Sequence, residues 1–181
     1  MKKFNRDLEL FREKNVPIFA ELSKLSSEYD QKAGALNAII EGEELPMPMA
    51  SVKLLSDDRE LRKTAWLAIQ DSRYAAKADM DSIFDKMIKK RHQVALNAGY
   101  KNYRDVQHDN LHRFDYTPAD AGVFHDAIEK HVVPLSKEID ARHRDKLGLA
   151  EDDYRPWDQM GEPVGQKPLK PFETGKDLLA G

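Results

Sequence analysis

The sequence predicts a mainly α-helical fold of long amphipathic helices with one small β-hairpin near residues 35–48. Three observations carry that prediction. Residues 59–98 contain neither glycine nor proline and repeat apolar or small residues at helical spacing: Leu61, Ala65, Ala68, Ser72, Ala75 and Ala76, then Ile83, Phe84, Met87, Ile88, Val94, Ala95 and Ala98. Gly99 follows the last periodic residue, where a left-handed stop favours glycine, and Thr117-Pro118-Ala119-Asp120 has the composition of a helix start with a capping box. Residues 35–40 and 45–49 are short apolar runs on either side of Glu41-Gly42-Glu43-Glu44, the pattern of a tight hairpin.

Taken from the N-terminus, residues 4–13 and 16–29 are expected to be helical. Asn15 is a candidate cap, and Pro17 suits the first turn ahead of Ile18, Phe19, Leu22 and Leu25. The second hairpin strand holds Pro46 and Pro48, so it belongs at an edge, because proline cannot donate to a ladder. A helical turn is expected over 50–55, followed by a capping-box start at Asp57 with Glu60. One helix over 59–98 would be about 60 Å long, so a break near Ala78, with Asp79 or Asp81 capping the restart, competes with continuity. After Pro118 the next helix should turn Phe124, Ile128, Leu135 and Ile139 inward, kink at Pro134 and stop at Gly148. Beyond Leu149 proline and glycine become frequent, which favours an extended connector. The expected division is therefore a helical domain over 1–149 and a connector over 150–181.

Composition excludes several classes of function. The 181 residues are 40% hydrophobic and 34% charged, which suits a globular domain. Net charge is −3 with both signs interleaved, so no field gathers nucleic acid or anionic lipid. The basic run Lys86, Lys89, Lys90 and Arg91 follows Asp81 and Asp85 without an aromatic platform, and reads as a solvated face. With no cysteine there is neither a disulfide framework nor a thiolate ligand. No run approaches a membrane span or signal segment, and the cytoplasm is the expected compartment.

Six histidines are the first place to look for chemistry. His108 and His112 stand at i and i+4 and are the candidate metal pair, since that spacing lets a helix offer two zinc ligands. Asp109, however, occupies the place where a zinc-peptidase helix carries its glutamate base, and hydrogen-bonding histidines are the ordinary reading. His125 with Glu129 and Glu138 with Arg142 read as surface pairs. No phosphate loop or nucleophile elbow is present. Tyr103, Phe114, Tyr116 and Trp157 read as packing residues.

The order of blocks along the chain says more than any one residue. Leu54-Leu55-Ser56-Asp57-Asp58-Arg59, Arg62-Lys63-Thr64-Ala65-Trp66, Ala98-Gly99-Tyr100-Lys101-Asn102-Tyr103, Arg113-Phe114-Asp115-Tyr116-Thr117-Pro118, Arg155-Pro156-Trp157-Asp158 and Pro168-Leu169-Lys170-Pro171-Phe172 succeed one another as in the oligoendopeptidase F family. The sequence resembles these helical zinc metallopeptidases, relatives of thimet oligopeptidase, over nearly its whole length. The resemblance implies an α-helical enzyme enclosing a channel in which short peptides are hydrolysed. It also implies a zinc ion on a His-Glu-x-x-His helix and a downstream glutamate.

No His-Glu-x-x-His occurs in this sequence. In the family the Pro168–Phe172 block lies upstream of the zinc helix, so the resemblance implies an internal piece of the peptidase without its catalytic zinc site. None of the matching blocks carries a catalytic, cofactor or metal residue, and none is transferred. Oligopeptides are the expected substrates of the full-length enzyme, while the surface left by missing regions is open to self-association. The alternative is a stand-alone helical module that binds peptides or a protein, and a metal-dependent activity on His108 and His112 ranks last.

Overall fold

A computed structural model describes residues 1–163 together with Lys176 and Leu179. It is mainly α-helical: α1 (Lys2–Leu10), α2 (Asn15–Gly34), β1 (Asn37–Ile40), β2 (Glu43–Pro46), α3 (Met47–Val52), α4 (Arg59–Ala75), α5 (Lys77–Asn97), α6 (Tyr103–Asn110) and α7 (Pro118–Lys146). Short 3-10 turns occupy Lys53–Leu55, Glu151–Asp153 and Pro156–Asp158.

The hairpin forms where the sequence places it. Antiparallel pairing of Ile40 with Glu43 leaves a two-residue loop, Glu41-Gly42. Both residues have positive φ, 53° and 84°, the combination that matches the twist of two tightly joined strands. Ala38, Ile40 and Leu45 are buried against Ala50 of α3 and Ala65 and Ile69 of α4, which makes one core. A second core joins Ala95 of α5 and Ala98, just past its end, to Val106 of α6, with Leu10, Tyr100 and Tyr103 around it. Along α5 runs α2, antiparallel: Lys32 pairs with Asp79 at 2.8 Å, Glu21 with Lys90 farther along, and Asn15 reaches Val94 at the other end.

Several expectations are corrected. Asn15 caps nothing; it is buried, donating to the Val94 carbonyl at 3.1 Å and accepting from Asn97 at 2.8 Å. The cap of α4 is Asp58 rather than Asp57, its carboxylate accepting from the Glu60 and Leu61 amides. The long helix does break, at Ala76 rather than Ala78, and neither Asp79 nor Asp81 caps the restart. No local breaker is present there, so the division follows packing: α4 lies on the hairpin while α5 lies on α2. Phe84 and Ile88 of the predicted stripe stay exposed, whereas Ile83, Val94, Ala95 and Ala98 are buried.

The largest departure is α7. Its capping box of Thr117 and Asp120 is formed, Gly148 takes φ 68° after its end, and the helix continues through Pro134. Its apolar residues were expected to face inward, yet no residue of the helix is buried. Phe124 is 63%, Leu135 53% and Ile139 56% exposed, with Ile128 half-buried. Within the described part of the segment after Leu149, expected to be an extended connector, Glu151–Asp153 and Pro156–Asp158 form 3-10 turns, the second against α4 where Trp157 meets Trp66. The Pro168–Phe172 block lies outside the described residues.

Candidate functional site

Two polar clusters hold the unusual chemistry, one at each end of α7. The first fixes the 3-10 turns against α4. Arg59 and Arg62, one helical turn apart, both point at the Asp158 carboxylate, which is fully buried. Arg59 donates through Nε at 2.8 Å and Nη2 at 2.9 Å, a forked pair that suits the planar guanidinium. Arg62, itself 3% exposed, donates to Asp158 at 3.4 Å and to the carbonyls of Trp157 (3.0 Å), Ser56 (2.8 Å) and Asp57 (3.2 Å). Burial pushes the Asp158 carboxyl up. The bonds from Arg59, the Arg155 amide and Arg62 outweigh it and hold the group below the ordinary carboxylate value. Trp157 stands edge-on to Trp66 at 5.7 Å, and the His143 ring, near the end of α7, donates through Nε2 to the Asp158 carbonyl at 3.1 Å. Gly161 closes the cluster, because a Cβ there would lie 2.8 Å from Arg62 Nη2.

The second cluster joins α1 to α6. Asp109 accepts from Arg6 at 3.0 Å and from the Tyr100 hydroxyl, and His112 Nε2 lies 2.7 Å from Asp7 Oδ1. Burial first, and then the bond to Asp109, raises the Tyr100 hydroxyl above its ordinary value. Beside this cluster a cleft of about 230 Å³ is lined by Leu10, Phe11, Val16, Phe19, Val94 and Val106, among others. Arg12 borders the cleft, but its donors are taken by the carbonyls of Glu9, Phe11 and, at 3.4 Å, Ala98.

The candidate metal pair does not assemble. His108 belongs to α6, but His112 lies past its end with φ 54°, so the two rings do not share a helix face. His108 turns its edge to Tyr116 at 5.4 Å, and its buried Nε2 has no hydrogen-bond partner among the described residues. His112 is engaged by Asp7. Among the described residues no three His, Asp or Glu side chains group as metal ligands, so this donor set does not fit a zinc ion. Glu138 and Arg142 do form a surface pair, at 3.6 Å. Tyr103 and Trp157 pack as expected. The Arg59–Arg62–Asp158 cluster was missed as a site, although its residues stand in quoted sequence blocks. Its signal was two arginines one turn apart, Arg62 falling at i−3 to Ala65 on the helix's apolar face.

These clusters fasten helices together. What the molecule belongs to is shown by its likenesses. Among the described residues no helix is long and apolar enough to cross a membrane. No curated protein matches the chain. The fold is similar to that of PZ peptidase A solved with an inhibitor, with a TM-score of 0.83 and 26% identity over 88% of this chain and 28% of that one. It is similar to a protein assigned as an oligoendopeptidase F from Bacillus anthracis str. Ames, with a TM-score of 0.82 and 22% identity over 89% and 29%. A protein assigned as a peptidase from Chlamydophila abortus gives a TM-score of 0.70 and 19% identity over 92% and 29%. The chain thus spans under a third of the length of these solved proteins. The sequence model of peptidase family M3 matches residues 52–181, well over half of the chain, and the chain belongs to that family.

Proposed function

We propose that this chain is a wall segment of an oligoendopeptidase F-like zinc metalloendopeptidase that hydrolyses short peptides in its full-length form. The observation that carries the reading is the family match over residues 52–181, joined to a fold that spans only 28–29% of its solved relatives. On this reading the zinc, its histidines and the glutamate that polarises water lie in polypeptide outside this sequence, and the chain alone is inactive. The compartment would be the cytoplasm. The unburied length of α7 supports it too, since a helix with apolar residues and no cover is normally part of a larger body.

The test pairs a quenched fluorescent oligopeptide assay with zinc titration. The purified chain should neither turn over the peptide nor take up zinc stoichiometrically. A family-length polypeptide containing this segment and a His-Glu-x-x-His helix should do both. Hydrolysis by the isolated chain would overturn the reading. A stand-alone module that binds peptides or a protein is the second reading, favoured by the same exposed apolar residues. Tight binding of an uncleaved oligopeptide to the isolated chain would support it instead.

A further inference from the structure

The unfilled surface with the most definite chemistry is one side of α7. Ala121, Phe124, Ile128, Val132, Leu135 and Ile139 recur at steps of three and four. At 100° per residue they fall within about 80° of one another, a straight stripe along a helix about 43 Å long. Phe124, Val132, Leu135 and Ile139 are exposed large hydrophobics, and the helix is tied to the rest of the molecule at its two ends, by Tyr116 just ahead of it and by His143 in its last turn. The same periodicity puts Asp120, His131 and Glu138 along one border of the stripe and His125, Glu129 and Asp140 along the other. Lys130 and Lys137 fall on the far side. Positive charge reaches the stripe only at its C-terminal end, through Lys146 and through Arg142, which pairs with Glu138.

We propose that this stripe is the docking site for a second amphipathic helix whose own apolar face is bordered by lysine or arginine. The apolar seam supplies the burial, and Glu129 and Asp140, the border acids not already held by Thr117 or Arg142, choose a basic partner and set its register. A second copy of α7 suits the site poorly. In a parallel pair the border of Asp120 and Glu138 faces the copy's border of Glu129 and Asp140, acid against acid. In an antiparallel pair the stripe is centred near residue 130, so the two copies of Glu129 meet at the two-fold axis. The inference rests on the placement of α7 alone and stands whether or not the chain comes from a peptidase.

Two synthetic helical peptides of about 26 residues, long enough to follow most of α7, test it. They share a leucine stripe, one bordered by lysine and the other by glutamate, and binding to the full chain is read by fluorescence anisotropy at about 0.15 M salt, near physiological ionic strength. The lysine peptide should bind at least about tenfold tighter, roughly the value of one good complementary charge contact. The double variant Glu129→Lys, Asp140→Lys should reverse the preference, and Phe124→Ser with Leu135→Ser should abolish binding of both peptides. These four side chains are exposed, so the variants keep the native circular dichroism. Equal affinity for the two peptides, no binding, or lysine-peptide binding that survives the serine variant would overturn the proposal. So would a dimer of the chain that the serine variant dissolves, which would make a second copy the occupant.

Discussion

Arg62 holds together three pieces of chain that share no secondary structure: the residues before α4, α4 itself and the turn around Trp157. Removing its guanidinium leaves the carbonyls of Ser56, Asp57 and Trp157 without that donor and Asp158 with one arginine fewer. Losing one partner of a buried charge pair costs about 3–5 kcal/mol. Arg62→Met should lower stability by that order, read as a shifted urea midpoint. Gly161→Ala acts on the same group from outside, since its Cβ would sit 2.8 Å from Nη2 of a guanidinium that its bonds hold in place. Overpacking of this kind costs about 1–3 kcal/mol, by the same measurement. The carboxylate adds a pH dependence. Asp158 is held below its ordinary value in the folded chain, so its contribution is complete above about pH 4, the unfolded value, and is lost as pH falls through the lower folded one. Fluorescence of Trp66 and Trp157, the two tryptophans, should report that loss on acid titration, and Asp158→Asn should remove it.

At the level of elements, equivalent caps should have unequal consequences. Asp58 caps α4, whose Ala65 and Ile69 sit in the core with the hairpin, so loss of the cap is felt by the whole fold. Asp58→Ala should cost about 1 kcal/mol in the global unfolding midpoint. Thr117 caps α7 by the same chemistry, but no residue of α7 is buried. Thr117→Ala should therefore fray the first turns of α7, seen as a loss of ellipticity and faster amide exchange there, while the global midpoint stays within about 0.5 kcal/mol. Element boundaries were legible where they rest on local chemistry. Gly99, with φ 87°, and the Thr117–Asp120 box stand where their residue types require. A break near Ala78 was open on length alone, but its place at Ala76 and the absence of a cap there were not legible, because no glycine or proline in residues 72–80 fixes a stop.

For the molecule as a whole, α7 is a strut between two cores. It starts beside α6, where Tyr116 meets His108, and ends beside α4, where His143 meets the Asp158 carbonyl. Stability should be distributed accordingly, with the amides of α4 and α5 protected and those of central α7 exchanging at least about tenfold faster by hydrogen–deuterium exchange. Burial of this helix by a partner should slow that exchange along the stripe first.

The amino-acid sequence by itself determined the helical class, the hairpin with its Glu41-Gly42 turn, the starts and stops at Gly99, Thr117 and Gly148, and membership of a peptidase family. Each is written in local residue types or in ordered blocks of sequence. Only the tertiary structure decided which apolar faces are covered, that Asn15 and Arg62 are buried, and that His108 and His112 do not converge. The physical reason is that periodicity marks a face as apolar without saying whether another element lies against it. A buried polar group, likewise, is defined by partners far away in the chain, as Arg62 is by Asp158.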